Sequence, residues 1–269
     1  MSESKDVYTH GYHESVLRSH TWRTAENSAG FLLPHLGRGA RLLDVGCGPG
    51  TISADLARLL APGLVTAIDI SEEVIEKART LQGDQSPENL EFRIDNVYEL
   101  SFPDSSFDVV YAHQVLQHLS DPVAAIVEMR RVLREGGLLA VRDADFGAFT
   151  WFPADDRLTK WLAIYHELTM ANGAQADAGR HLAHWVREAG FTSMTFTSSN
   201  WNYASEAERR WWGQLWADRV RHSDFATQAL AYRLATKDEL DDIAEGFIEW
   251  SKDEEGLFIV VNGEVLARR

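Results

Sequence analysis

The sequence predicts an α/β fold in which a parallel sheet is covered by helices on both faces. Residues 40–145 alternate short apolar runs with stretches of helical spacing. This alternation is typical of parallel sheets, because a helix makes each crossover between neighbouring parallel strands. The hydrophobic share is 45% of 269 residues, which is enough for a packed core in one large domain or in a domain with an added lid.

Five strands with helices between them are predicted in this central region. Ser71 is the expected N-cap of the second helix, because its hydroxyl can accept from the free N–H groups of the first turn. Gly136 and Gly137 are expected to end the third helix. The strands are predicted at 41–45, 64–70, 90–94, 107–112 and 138–142, and the first and third helices at 51–60 and 122–133.

The flanking regions have different patterns. Residues 6–36 have helical spacing that ends at Pro34 and the glycines that follow it. Near the C-terminus, Thr236 and Glu239 are placed as a capping box, and Asn262-Gly263 predicts a turn or bulge within the last strand. Beyond residue 145, helices are predicted at 155–172, 177–189, 205–222 and 237–252, and strands at 192–197 and 257–267.

The composition excludes several classes of partner. The net charge of −15 argues against nucleic acid and against anionic membrane surfaces. No apolar run approaches the ~18 residues of a membrane span, and Met1 to His10 lacks the apolar stretch of a signal peptide. The single cysteine, Cys47, leaves no internal disulfide. We therefore expect a cytoplasmic protein.

A glycine-rich loop follows the first strand. The loop is Gly46-Cys47-Gly48-Pro49-Gly50, and a helix begins directly after it. Glycines permit a tight turn and a close approach of a ligand to the backbone. The helix N-terminus offers free N–H groups to a polar ligand. Thr51 stands where the dinucleotide fingerprint needs its last glycine, so the loop disfavours NAD.

Acidic side chains end the next two strands. Asp69 comes about 20 residues after the loop, where an acid can accept both ribose hydroxyls of a nucleoside. Asp95 ends the third strand, and Asn96 and Val97 follow it; an acceptor there can take the amino group of an adenine. Three strand-end signals in this order predict a nucleoside-binding site.

With these motifs the sequence resembles the class I S-adenosylmethionine-dependent methyltransferases, and in particular their ubiquinone/menaquinone-type C-methyltransferase branch. The matching segments are LLDVGCGPGT (42–51), AIDIS (67–71), the run over 94–122 and EMRRVLREGGLLAVRD (128–143). The resemblance implies a Rossmann-like seven-stranded sheet whose last strand is antiparallel. We accordingly divide the chain into an N-terminal helical cap (1–36), an S-adenosylmethionine-binding core (37–145), and lid insertions with the final elements of the same sheet (146–269).

The resemblance also implies which residues bind the cofactor S-adenosyl-L-methionine. The loop residues would surround its methionine part, Asp69 would bind the ribose and Ile70 would pack on the adenine. Arg23 or His20 would meet the methionine carboxylate or the substrate. The full expected set is Arg23, Asp44, Gly46, Cys47, Gly48, Gly50, Asp69, Ile70, Asp95, Asn96, Val97, His113 and Gln114.

The implied reaction is an in-line displacement at a sulfonium carbon. Such an enzyme mainly holds the acceptor in line and excludes water. A general base is needed only where the acceptor keeps a proton at neutral pH. The candidate bases are His113, His118, Asp143 and Asp145, of which His118 and Asp143 are the preferred catalytic residues.

No metal site is expected. A catechol-type site would need an acid after the fourth strand and an Asp-Asn pair after the fifth, and neither is present. His181 and His184 are spaced like ligands on a helix, but no third ligand lies near them in the sequence.

The substrate side of the site is predicted to be aromatic. An N-terminal aromatic and basic set (Tyr8, Tyr12, His13, His20 and Trp22) would close over the cofactor. Because ligand pockets are mostly apolar and aromatic, an aromatic or hydrophobic small molecule is the leading substrate, and a cationic acceptor is an alternative. The lid aromatics are Phe146, Phe149, Trp151, Phe152, Trp161, Tyr165, Trp201, Tyr203, Trp211, Trp212 and Trp216.

Other functions stay open at this point. The chain could bind S-adenosylmethionine without catalysis, as a partner or regulator. It could also be another nucleoside-dependent transferase, such as an aminopropyl transferase, although His113-Gln114 lacks the acidic motif which that reaction needs. An NAD-dependent oxidoreductase is disfavoured by Thr51. A homodimer is compatible with the sequence.

Overall fold

The structure is a computed structural model that describes Asp6 and residues 21–269. These residues form one mixed sheet of eight strands, one more than the resemblance implies. In chain order the strands are β1 (Leu42–Val45), β2 (Val65–Asp69), β3 (Leu90–Ile94), β4 (Phe107–His113), β5 (Leu133–Ala144), β6 (Thr150–Phe152), β7 (Ser193–Tyr203) and β8 (Leu257–Arg268).

The sheet combines a parallel part with antiparallel last strands. Its order is β3-β2-β1-β4-β5-β8, and the first five of these are parallel. β8 runs antiparallel to β5 and to β7. The short β6 is the extra strand and pairs with β8 from Leu257 to Ile259, beyond the part of β8 that β5 contacts. The predicted α/β fold with an antiparallel last strand is confirmed.

The strand order reverses between β1 and β4, which lie side by side. At such a reversal the helices after the two strands leave on opposite faces, and a crevice opens at the carboxyl ends of the strands. The residues that follow β1, β2, β3 and β4 are therefore brought to one edge of the sheet.

Helices cover both faces of the sheet and build a lid over this edge. None of those formed by the described residues has the length and apolar character that a membrane crossing requires. The name "lid" is used below for α5, α7, α8 and α9. The helices are α1 (Ala25–Ala29), α2 (Thr51–Leu60), α3 (Glu72–Gln82), α4 (Pro122–Val132), α5 (Asp156–Ala171), α6 (Ala178–Glu188), α7 (Glu206–His222), α8 (Asp224–Ala231) and α9 (Lys237–Trp250).

The alternation of side chains along β1 shows how the sheet is buried. Leu43 and Val45 belong to an apolar cluster with α4 and α6, whereas Leu42 belongs to a second cluster with α1 and α2. Successive strand residues point to opposite faces. Both faces of β1 are therefore covered, which is why its sequence is an almost unbroken apolar run.

The lid has an aromatic core of its own. Trp161 of α5 and Trp216 of α7 are fully buried and meet edge to face, with ring centroids 4.4 Å apart. Phe146 stacks on Tyr165 at 3.9 Å. Phe258 of β8 belongs to the same cluster. The lid thus packs directly on the last strand of the sheet.

The predicted caps are confirmed. The Ser71 hydroxyl accepts from the Val74 N–H at 3.4 Å, and Thr236 and Glu239 form a reciprocal capping box. Each satisfies backbone donors that the first turn of a helix leaves free.

The prediction of a continuous helix over 6–36 is wrong at its C-terminal part. Trp22, Arg23 and Thr24 lie outside any helix, and α1 begins only after Thr24, which caps it. Pro34 lies within a short 3₁₀ turn. Residues 7–20, and with them Tyr8, Tyr12, His13 and His20, lie outside the described residues.

Two predictions based on glycines are also wrong. Gly136 and Gly137 do not end α4, which stops at Val132; they lie in β5, where the register with β4 shifts. Asn262-Gly263 makes no turn, because β8 pairs without interruption through both residues. A Cβ on Gly179 of α6 would lie only 2.9 Å from the Gly263 nitrogen. The two glycines therefore allow α6 to pack closely on β8.

The helix α8 was not predicted. Ser223 ends α7 and at the same time caps α8, since its hydroxyl accepts from the Phe225 N–H at 3.2 Å. With no loop between the two helices, the sequence offers no break from which to recognise a second one.

Candidate active site

A cavity of about 760 Å³ lies between the carboxyl edge of the parallel strands and the lid. Two parts of its wall are distinguished below. The strand half consists of the lining residues up to Leu119, apart from Trp22. The lid half consists of Trp22, Ala144, Phe146, Phe149, Trp201, Tyr203, Trp211, Trp212, Trp216, Arg219 and Val260.

The glycine loop forms the floor of the strand half. Gly46, Gly48 and Gly50 have φ angles of 68°, 53° and 75°, a left-handed region in which side chains are rarely tolerated. A Cβ on Gly46 would also collide with the side chain of Val115. At Gly50 it would lie 2.5 Å from Phe92 of β3. The loop can take this path only with glycines.

Asp44 lies buried beneath the loop and accepts a hydrogen bond from the Ser53 hydroxyl at 2.6 Å. Burial raises the pKa of Asp44 to about 7. The hydrogen bond from Ser53 opposes this rise in pKa, whereas the charge of Asp69 increases it. Burial also raises the pKa of the Cys47 thiol, as do the charges of Asp44 and Asp69. The thiol therefore stays protonated, and Cys47 is a small apolar part of the wall.

Asp69 is fixed at the end of β2 by the backbone. Its Oδ1 accepts from the Ser71 N–H at 3.1 Å and its Oδ2 from the Gly48 N–H at 3.3 Å. Burial raises the pKa of Asp69, and these backbone donors oppose the rise. The next residue, Ile70, is 67% exposed although it is apolar, and it lines the cavity. A carboxylate can accept hydrogen bonds from ribose hydroxyls, and an exposed apolar side chain beside it can pack on the attached purine.

The loop after β3 is held by its own polar side chains. Asp95 accepts from the Ser101 N–H and hydroxyl at 3.1 and 2.8 Å, and Asn96 accepts from the Tyr98 N–H at 3.0 Å. Asp95, Asn96 and Val97 all line the cavity. These bonds fix the edge of the strand half that lies beyond Ile70.

Arg23 and Gln114, 91 residues apart in the sequence, meet across the cavity wall. The Arg23 guanidinium donates to Gln114 Oε1 at 2.6 Å, and Gln114 Nε2 donates to Asn262 Oδ1 at 3.3 Å. Gln114 has a φ of 53°, and its N–H donates to the Arg142 carbonyl at 2.7 Å. A cation and an amide group side by side can bind a carboxylate.

A buried ion pair lies behind this wall. Arg142 donates to Glu264 at 3.2 Å, and its guanidinium lies 4.6 Å from the ring centroid of Trp201. One of its nitrogens is 3.5 Å from Nδ1 of His113. Burial lowers the pKa of Arg142, while neighbours including Glu264 oppose this. The pair supports two residues that line the cavity, His113 and Trp201.

The candidate bases differ in their access to the cavity. His118 lines it, and burial together with the charge of Arg23 lowers the pKa of His118 to about 3. Asp143 is fully buried and does not line it; its Oδ1 accepts from the Gln117 N–H at 3.2 Å. Burial raises the pKa of Asp143 to about 8. Asp145 is paired with Arg180 and does not line the cavity either.

Seven of the predicted lid aromatics line the cavity, namely Phe146, Phe149, Trp201, Tyr203, Trp211, Trp212 and Trp216. The others pack elsewhere. Trp161 and Tyr165 are in the lid core, Trp151 stacks on Phe258, and Phe152 is exposed. Trp22, from the N-terminal segment, packs against these aromatic side chains. Its ring centroid lies 5.5 Å from that of Trp201 and 5.6 Å from that of Trp211.

Arg219 is a lining residue that sequence reasoning missed. It follows Trp212 and Trp216 on α7 at spacings of seven and three residues, which place all three on one helix face. Its guanidinium lies 5.1 Å from the ring centroid of Trp216. The spacing was visible in the sequence, but nothing there indicated which face of the helix meets the cavity.

The structure thus brings most of the predicted site residues to one cavity. The exceptions are Gly50, which packs against β3, and Asp143, which lies behind the wall. The predicted residues that line it are Arg23, Asp44, Gly46, Cys47, Gly48, Asp69, Ile70, Asp95, Asn96, Val97, His113, Gln114 and His118.

The described residues contain no group of three or more His, Cys, Asp or Glu side chains placed to hold a metal ion. The ring of His181 stacks on Trp185, and His184 lies 3.5 Å from Glu188.

Comparison with known proteins decides the family. A family model described as a methyltransferase domain matches residues 36–206, more than half of the chain. An uncharacterized methyltransferase of Schizosaccharomyces pombe is 32% identical, with 100% of this chain and 99% of that protein covered. The chain belongs to the S-adenosylmethionine-dependent methyltransferases. Its cofactor is S-adenosylmethionine.

Other relatives of this methyltransferase agree. The 27-O-demethylrifamycin SV methyltransferase of Amycolatopsis mediterranei is 34% identical, with 73% of each chain covered. The crystal structure of the YcgJ protein from Bacillus subtilis superposes with a TM-score of 0.58 at 18% identity, covering 89% of this chain and 97% of that one. The last comparison concerns the fold alone.

Proposed function

We propose that this methyltransferase transfers a methyl group to a small organic molecule with an aromatic or hydrophobic body. The observation that carries the proposal is that one cavity joins the strand half to a lid half built from seven aromatic side chains of residues 146–216 and from Trp22. A relative named for a rifamycin acceptor supports a small-molecule substrate. Apolar, aromatic walls with few polar groups are typical of small-molecule sites.

The strand half fits the cofactor. The glycine loop leaves room for a ligand at the backbone, Asp69 offers a fixed carboxylate for ribose hydroxyls, and Ile70 offers an apolar surface for adenine. Arg23 and Gln114 would take the amino-acid carboxylate. When bound, S-adenosylmethionine supplies an electrophilic methyl group on a sulfonium sulfur.

In this proposal the chain contributes binding, alignment and exclusion of water. The aromatic side chains hold the acceptor in line, and closure of the lid half keeps water from the reacting atoms. Asp143 acts as a positioning residue, since it does not line the cavity and its Oδ1 accepts from the N–H of Gln117, which does. His118 contacts the bound molecules as a neutral side chain.

The experiment is methyl transfer from S-adenosylmethionine carrying a labelled methyl group to a panel of matched acceptors. We expect label in acceptors with an aromatic ring and not in aliphatic acceptors that carry the same functional group. Trp211→Ala is expected to raise KM for the acceptor and to leave cofactor binding unchanged. Trp185→Ala, outside the cavity, is the control. Transfer only to aliphatic acceptors would contradict the proposal, and cofactor binding without any transfer would favour a non-catalytic binding protein.

Three predictions from the sequence accompany this proposal. They are membership of the ubiquinone/menaquinone-type branch, a cytoplasmic location without a nucleic-acid partner, and a homodimer. The net charge of −15 supports the second. Sedimentation at several protein concentrations would test the third.

A further inference from the structure

The two halves of the cavity differ in charge. Among the described residues, every carboxylate that lines the cavity belongs to the strand half: Asp6, Asp44, Asp69 and Asp95. Arg219 is the one charged side chain in the described lid half. A molecule bound among the described lid aromatics would therefore meet the guanidinium of Arg219 rather than these four carboxylates.

Arg219 is placed to act on such a molecule. It is 5% exposed, and its neighbours on the same face of α7 are Trp212 and Trp216. A guanidinium stays charged at all ordinary pH values, and its planar fork matches an oxyanion in geometry. In a wall with few polar groups the attraction is screened far less than in water.

The two preferred catalytic residues, His118 and Asp143, are both poorly suited to act as a general base in this cavity. Burial and the charge of Arg23 lower the pKa of His118 to about 3, so this side chain is a poor acceptor for a phenol proton. Asp143, the other preferred catalytic residue, does not line the cavity. An acceptor that reaches this site already deprotonated needs no base.

We propose that the methyl acceptor is an aromatic acid, bound as an oxyanion conjugated with its ring, and that Arg219 holds this anion in the lid half. The inference rests on the proposed function. One oxygen of the anion forms a bond to the methyl carbon while the carbon–sulfur bond breaks, and that electron pair stays on sulfur. The anion and the sulfonium cation are both neutralised, and no proton is moved. A site with little water favours such a loss of charge.

The first test is binding to the protein saturated with S-adenosylhomocysteine. Calorimetry compares 2-naphthoate with 2-naphthamide, which has nearly the same shape and no charge. We expect naphthoate to bind at least tenfold more tightly. Arg219→Met should remove this preference, whereas Arg221→Met should keep it. Arg221 lies on the same helix, is paired with Asp241 and does not line the cavity, so it controls for the loss of one positive charge.

The second test is spectroscopic and uses 4-nitrophenol, whose phenolate and phenol forms absorb at different wavelengths. Bound to the wild-type complex, the probe should ionise at a lower pH than it does free in solution. In Arg219→Met the shift should disappear. If the probe bound to the wild-type protein stayed in its neutral phenol form, the proposal would be overturned. This measurement on the wild-type protein does not depend on whether a variant folds.

The outcomes separate the two proposals. If S-adenosylhomocysteine does not bind, the proposed function fails. If it binds and naphthoate has no advantage over naphthamide, only the present inference fails. A purely structural Arg219, stacked on Trp216, predicts that Arg219→Met weakens both probes equally, which would also overturn the inference. Arg219→Lys keeps the charge and loses the planar fork, and we expect it to keep part of the naphthoate preference.

Discussion

The two halves of the cavity are built in different ways. The strand half depends largely on backbone geometry and on hydrogen bonds from backbone N–H groups; Asp69, for example, is held by the N–H groups of Gly48 and Ser71. The lid half depends on side chains from distant segments, such as Trp22 against Trp201. On the proposed function, the cofactor lies against the turns at the strand ends, whereas the substrate lies against lid side chains that can change without disturbing those turns.

The largest expected effect concerns the aromatic core that supports the lid half. Trp161 is fully buried against Trp216 and Phe247. Trp161→Ala should lower the free energy of unfolding by about 3–5 kcal/mol, because a large cavity replaces the ring. Trp211→Ala, which removes a half-buried lining ring, should cost about 1 kcal/mol. Denaturant unfolding measures both, and equal losses would contradict the division between supporting and lining aromatics.

The next effect tests the backbone of the strand half. Gly46→Ala combines a φ of 68° with a collision against Val115, so we expect S-adenosylmethionine binding to weaken by about 100-fold. Gly136→Ala is the matched control: its φ is 71°, but a Cβ there meets no atom within 4 Å. Both should lose about 1 kcal/mol of stability from strain. Calorimetry should find cofactor binding unchanged in the control; loss of binding in both variants would assign the effect to strain alone.

A third prediction concerns the carboxyl behind the wall. The pKa of Asp143 is raised from 3.8 to about 8 in the folded protein, so the folded state holds the proton more tightly than the unfolded state. Stability from this group is therefore present at low pH and falls as pH rises between about 4 and 8, by up to about 1.4 kcal/mol per pH unit.

Asp143→Asn should flatten that dependence by about 1 kcal/mol per pH unit, because an amide does not ionise. Unfolding by denaturant at several pH values measures the slope. Asp44, whose pKa is also raised, accounts for the slope that remains. Asp84→Asn, at an exposed position, should leave the slope as it is. An unchanged slope in Asp143→Asn would mean that Asp143 is ionised in the folded protein.

The smallest effect tests the contact between the N-terminal segment and the strand half. Arg23→Met should weaken binding of S-adenosylhomocysteine by about tenfold, through loss of one charge-assisted contact to its carboxylate. 5′-Methylthioadenosine has no amino-acid part, so its affinity should not change. Weaker binding of both ligands would show that Arg23 acts indirectly, by holding Gln114 or Trp201 in place in the cavity wall.

Most of the strand half could be predicted because its signals are local. Glycines, a strand-end acid and an N-cap such as Ser71 each report a backbone conformation within a few residues. Asp143 shows the limit of that reasoning. It lies at the carboxyl end of β5 as Asp69 lies at the end of β2, but its side chain is buried and accepts from the backbone N–H of Gln117.

For the lid half, the sequence could predict only the aromatic composition and not the position of each side chain. The sequence showed that aromatic residues are concentrated after residue 146, but not that Trp161 is in the core while Trp211 lines the cavity. That choice depends on how α5, α7 and β8 pack together over long sequence separations. For the same reason the sequence does not reveal that Arg219 lines the cavity, or that Asn262-Gly263 continues a strand in which Gly263 packs closely on Gly179.

The most direct test of the central claim is calorimetric titration of the protein with S-adenosylmethionine, S-adenosylhomocysteine and NAD. It is repeated with Asp69→Ala and with Asp84→Ala, a control that removes the same charge at an exposed position that does not line the cavity. The account predicts micromolar binding of the two sulfur compounds, none of NAD, and loss of binding in Asp69→Ala alone. Failure of both sulfur compounds to bind the unmodified protein, or their undiminished binding to Asp69→Ala, would contradict it.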